Sequence, residues 1–66
     1  MKVITKKLAV RASVDENFLV NEWLKEGDTV TRVDNTNYYD GLFDYIYYKI
    51  RTKGGVVGYV RRDAVK

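Results

Sequence analysis

The stretch Tyr45–Val60, YIYYKIRTKGGVVGYV, decides the fold. Its first half alternates as a half-buried strand does. Ile46, Tyr48 and Ile50 share one side of an extended chain, and Tyr47, Lys49 and Arg51 share the other. Gly54-Gly55 is then a two-residue hairpin signal, because both glycines accept positive φ. The chain would return along Val56, Val57, Tyr59 and Val60, with Tyr48 packed inward beside the isoleucines. Tyr45, Tyr47 and Tyr59 are expected to face the other way. An outward tyrosine offers ring area at low entropy cost and a hydroxyl that orients a polar partner. The competing reading is cross-strand aromatic pairing, worth about 0.2–1 kcal/mol per pair. Alternation alone leaves both open.

Working outward, Leu8-Ala9-Val10-Arg11 alternates in the same way, and Thr29–Val33 is dense in the β-branched residues that strands prefer. Asp40-Gly41, between Tyr38-Tyr39 and Leu42-Phe43, is a second hairpin signal. The segment VDENFLVNEWLKEG, residues 14–27, has two readings. Locally, Asp15 can cap a short helix, with Leu19 and Trp23 four apart and Gly27 closing it. Against the whole chain it is a long loop running into a short strand around Val20 to Leu24. Short strands with turn signals between them indicate an all-β barrel or sandwich.

Composition narrows the function. The chain has no Cys and no His, which removes disulfides, thiolate metal sites and the commonest general base and transition-metal ligand. Ser13 is the only serine and the sequence offers no histidine to act as its base, so no catalytic residues are assigned and no enzyme is expected. Asp34, Asp40 and Asp44 do not have the spacing of a calcium loop, so neither a metal nor a cofactor is expected. No apolar run is long enough to span a membrane, and MKVITKKLAV lacks the apolar core of a secretory signal. The expected setting is the cytoplasm, or the cell wall if the chain is part of a longer exported protein. Charge is segregated: residues 1–14 carry +4, residues 15–48 carry −6 and residues 49–66 carry +5. If the two ends meet, they make a basic face that could attract an anionic polymer. Solvated lysine-rich strands are the simpler alternative.

These landmarks together resemble a bacterial SH3 domain, the cell-wall-targeting relative of the Src-homology fold. Leu8-Ala9-Val10-Arg11 stands where that family has Leu-Asn-Val-Arg. Leu24-Lys25-Glu26-Gly27-Asp28 matches its apolar residue before Lys-Lys-Gly-Thr. Tyr47-Tyr48-Lys49-Ile50 and Gly58-Tyr59-Val60 stand for Trp-Tyr-Lys-Val and Gly-Trp-Val. The likeness runs from Val3 to Val65. Departures are Ala12-Ser13-Val14 for Ser-Gly-Pro, Ala64-Val65 for a closing Tyr-Leu, and roughly eight residues added within DNTNYYDGLFDY at residues 34–45. The resemblance implies a small SH3-like barrel of five to six strands over residues 1–66. Its expected core is Leu8, Val10, Leu24, Val30, Ile46, Tyr48, Ile50 and Val60.

The added segment poses a register problem. A type I′ turn at Asp40-Gly41 would pair Tyr39 with Leu42, Tyr38 with Phe43, Val33 with Tyr48 and Thr31 with Ile50. Val30 would then face outward, against the family pattern. One β-bulge between Val30 and Asn37 removes the conflict. The expectation is a long hairpin around residues 30–51 with an exposed aromatic tip.

Three functions follow as expectations. The first, implied by the resemblance, is a non-catalytic module binding cell-wall polymer or peptide. Its ligand-binding residues would be Tyr47 and Tyr59, with Asn17 and Glu22 on the adjacent loop. Alanine at both tyrosines would then abolish binding and leave stability intact. The second is a protein-interaction adaptor, of phage or mobile-element type, contacting its partner through Tyr38, Tyr39, Phe43 and Tyr45. The third is a nucleic-acid binder using the basic termini with a tyrosine stacked on bases. A monomer without membrane insertion is expected in each case.

Overall fold

The computed structural model describes residues 1–14, 19–40 and 45–66. The chain is all-β. Strands β1 (Lys7–Arg11), β2 (Val20–Lys25), β3 (Val30–Arg32), β4 (Tyr38–Tyr39), β5 (Ile46–Thr52) and β6 (Val57–Arg61) precede a 3-10 turn at Arg62–Ala64. They form one antiparallel sheet in the order β2-β1-β6-β5-β3, with β4 also paired to β5. The fold is a small barrel-like one whose sheet is not closed. The N-terminal segment lies between its parts, bridging Lys2 to Thr29 and Val3 to Val65. Lys2 and Lys66 exchange backbone hydrogen bonds of 2.8 and 2.9 Å, so the two basic ends do meet. None of the described residues lies in a helix long and apolar enough to cross a membrane.

Of the two readings of residues 14–27, the strand holds over its second half. Leu24 pairs with Leu8 and turns inward, and Trp23 pairs with Ala9 and turns outward. A helix there would satisfy its own backbone but leave the edge of β1 unpaired, so the tertiary ladder overrides local propensity. Residues 15–18 lie outside the described residues.

The core consists of Val3, Leu8, Val10, Leu24, Val30, Ile50, Val60, Ala64 and Val65. Two expected members are displaced. Ile46 is half-buried, and Tyr48 packs at the core margin, capped by the Arg32 guanidinium 3.9 Å from its ring centre. Val3, Ala64 and Val65 take their share, supplied by the two chain ends.

The hairpin through β3, β4 and β5 is present, but its register differs from expectation. Val30 pairs with Thr52, Thr31 with Arg51 and Arg32 with Ile50. Farther along, Tyr38 pairs with Tyr47 and Tyr39 with Ile46. These partners replace the expected Phe43 and Leu42, and the expected turn at Asp40-Gly41 runs into residues 41–44, which lie outside the described residues. The extra chain in the first strand lies where a bulge was expected, between Arg32 and Tyr38, but amounts to three residues rather than one. Local hydrogen bonds hold this excursion. Asp34 Oδ1 accepts from the Thr36 N–H (3.2 Å), and Asp34 Oδ2 accepts from the Tyr38 hydroxyl (2.7 Å). Arg32 Nη2 donates to the Thr36 carbonyl (3.2 Å) and to Asn37 Oδ1 (3.0 Å). Val30 accordingly faces the core without conflict.

The β5–β6 connection also differs from a two-residue turn. Gly55 N–H bonds to the Thr52 carbonyl (3.0 Å) and Thr52 N–H to the Val56 carbonyl (2.8 Å), giving a three-residue loop. Only Gly55 has positive φ, at 91°, as the bulge ending such a loop requires. Gly58 serves packing instead. A Cβ there would lie 2.6 Å from Val10 Cγ1 and 2.7 Å from the Arg11 carbonyl oxygen. The missing side chain lets β6 approach β1.

Candidate ligand-binding cleft

That close approach is local. β1 and β6 pair only at Arg11↔Tyr59. Toward Lys7 on one strand and Arg61 on the other they part, and a cleft of about 370 Å³ opens between them. Lys7, Ala9 and Arg11 line it from β1, and Arg61, Asp63 and Ala64 from β6 and the 3-10 turn, with Tyr45 and Tyr47 beside them. Buried Leu8 and Ala64 give it an apolar floor.

Alternation places the cationic and aromatic side chains on the sheet face opposite the core. There they form pairs. Lys7 Nζ lies 4.5 Å from the Trp23 ring centre, and the guanidiniums of Arg11 and Arg61 lie 4.6 and 3.9 Å from those of Tyr47 and Tyr45. Because β6 separates β1 from β5, the Arg11 side chain crosses it to reach Tyr47 and donates a hydrogen bond from Nη1 to the phenol oxygen. Tyr38 meets Tyr59 edge to face, with ring centres 5.0 Å apart. Among the described residues, three cations and one carboxylate line the cleft, a net charge of +2. The carboxylate is Asp63, whose oxygens accept from Arg61 Nε at 3.1 Å and Nη2 at 2.8 Å. These bonds raise the Arg61 pKa above its ordinary value.

Tyr47 does face away from the core, but it is not an exposed platform. Arg11 and its neighbours cover it to 2 % exposure, and this burial pushes its pKa up. Truncating it to alanine would cost stability, contrary to the sequence expectation. Tyr59 shares its face and is half-buried beside Tyr38. Glu22 is not brought to them. It pairs with Val10, and its Oε1 accepts from the Thr52 hydroxyl (3.3 Å). Of the hairpin residues, Tyr39 is 50 % and Tyr45 43 % exposed, whereas the half-buried Tyr38 is tied to Asp34. Asn17 and Phe43 lie outside the described residues.

Sequence reasoning missed Lys7, Arg61 and Asp63 as neighbours and Trp23 as part of this face. The period-2 pattern of β1 and β6 puts Lys7 and Arg61 outward. That the strands part between them is a tertiary fact. No family model matches the chain, and neither a curated protein nor a solved structure matches it.

Proposed function

We propose that this domain is a non-catalytic binding module of bacterial SH3 type that holds an extended, negatively charged polymer or peptide of the cell-wall class. The observation supporting this reading is the cleft between β1 and β6, with its apolar floor, cationic walls and aromatic end. An extended chain can lie along such a groove with its apolar parts on Leu8 and Ala64. Its anionic groups then meet Lys7, Arg11 and Arg61.

Retention on purified sacculi, beside a salt titration with oligothymidylate, tests the reading. Wild type should be retained, and Lys7→Glu should lose at least about fivefold in retention with an unchanged melt, since Lys7 is exposed. Equal retention of Lys7→Glu and wild type would refute the cleft as the site. Tighter binding to oligothymidylate than to sacculi would make the partner a nucleic acid.

A second reading, a protein-interaction adaptor, draws support from Tyr39 and Tyr45, both substantially exposed at the far end of the hairpin. Tyr39→Ala would weaken that interaction and leave sacculus retention unchanged.

A further inference from the structure

Arg61 is held by a carboxylate of its own strand end. Its planar group is braced on the Tyr45 ring, and both oxygens of Asp63 sit on its Nε and Nη2 edge. This is the two-point geometry by which an arginine fork recognises a carboxylate. The Asp63 and Arg61 side chains are 61 and 43 % exposed, so the pair adds little to stability. Lys7, facing the same cleft, has no carboxylate partner among the described residues. One fork is therefore filled from within the chain, by a residue only two positions along.

We propose that Asp63 is an internal competitor for the cleft's ligand, holding the Arg61 fork until a carboxylate of the bound chain replaces it. The inference rests on the cleft being the binding site and names the group recognised there: a planar carboxylate repeated along an extended chain. Braced by Tyr45, the fork keeps its orientation as one carboxylate leaves and another arrives. No covalent bond is made or broken.

Binding of hexa-L-glutamate to the 66-residue chain tests this, followed by the fluorescence of Trp23, the sole tryptophan, whose ring lies beneath Lys7 at the cleft rim. At about 20 mM salt, where screening is weak, Asp63→Asn should bind about three- to fivefold more tightly than wild type. Glu26→Gln removes the same charge from an exposed turn outside the cleft and should change affinity less than about twofold. In an Arg61→Gln background, Asp63→Asn should give no more than Glu26→Gln does. Should Asp63→Asn destabilise the turn, Asp63→Ser serves in its place. An Asp63→Asn gain no larger than that of Glu26→Gln, or a wild-type preference for oligothymidylate over hexaglutamate, would overturn the competitor. If sacculi still retain wild type and release Lys7→Glu in that case, the cleft reading stands and only the role of Asp63 falls. If neither sacculi nor hexaglutamate binds, both fall together.

Discussion

Replacing Gly58 with alanine tests the junction on which the cleft depends. The new methyl group would sit 2.6 Å from Val10 Cγ1 and 2.7 Å from the Arg11 carbonyl oxygen. Both are far inside van der Waals contact, and neither neighbour has an easy escape. Val10 is fully buried, and the Arg11 carbonyl is backbone at the single β1–β6 pairing. Overpacking of this kind costs about 2–3 kcal/mol. A domain of this length holds roughly 3–10 kcal/mol in all. At about 4–8 °C per kcal/mol, the melting temperature should fall by roughly 10–20 °C. Thermal melts followed by circular dichroism measure it, with Gly54→Ala as control. The nearest atom to a Cβ at Gly54 is Thr52 Oγ1 at 3.9 Å, and its φ is not left-handed, so that change should stay within about 0.5 kcal/mol of wild type. Because the clash falls on Arg11, Gly58→Ala should also unseat the guanidinium that reaches Tyr47. A Gly58→Ala melt within about 3 °C of the control would refute the close approach, and the parting of the strands beyond it would lose its basis.

Ile50→Asp should abolish a cooperative melt at room temperature, because an unpaired charge at a fully buried site costs several kcal/mol; a melt near wild type would show the core to be misassigned. Tyr47→Phe removes the oxygen that accepts from Arg11 and should cost about 1–2 kcal/mol, whereas Tyr47→Ala, which also empties a buried site, should cost about 3–5 kcal/mol. Denaturant titration distinguishes the two, and equal losses would mean that the ring contributes nothing by packing. The pKa values of Tyr38, donating to Asp34, and of Tyr47, desolvated by burial, are both raised above 10.0. A raised phenol pKa favours the neutral form in the folded state. Stability should therefore be intact below about pH 10 and fall as pH rises through the higher folded values. Melts from about pH 8 to pH 12 measure this. Tyr38→Phe should shallow the decline, and an identical decline in that variant would remove Tyr38 from the account.

Much of this protein was determined by features local in sequence. Period-2 alternation marked β1 and β5 and assigned Leu8, Val10 and Ile50 to the buried side, because side-chain direction in a strand depends only on parity. The same parity put Tyr47, Tyr59 and Lys49 on the opposite face. Parity does not say what covers that face. Tyr47 is buried because an arginine thirty-six residues away crosses a strand to reach it, and no local signal carries that distance. The register of the long hairpin was likewise out of reach. Asp40-Gly41 suggested one register, but hydrogen bonds from Arg32 and to Asp34 hold three residues out of the ladder and so give Tyr38 and Tyr39 other partners. Residues 20–25 had a helical reading that only the unpaired edge of β1 could reject. The cleft belongs wholly to tertiary structure. It exists because β1 and β6 touch at one pair, where Gly58 admits them, and then part, so Lys7, Arg61 and Asp63 meet across a gap that no strand pattern encodes.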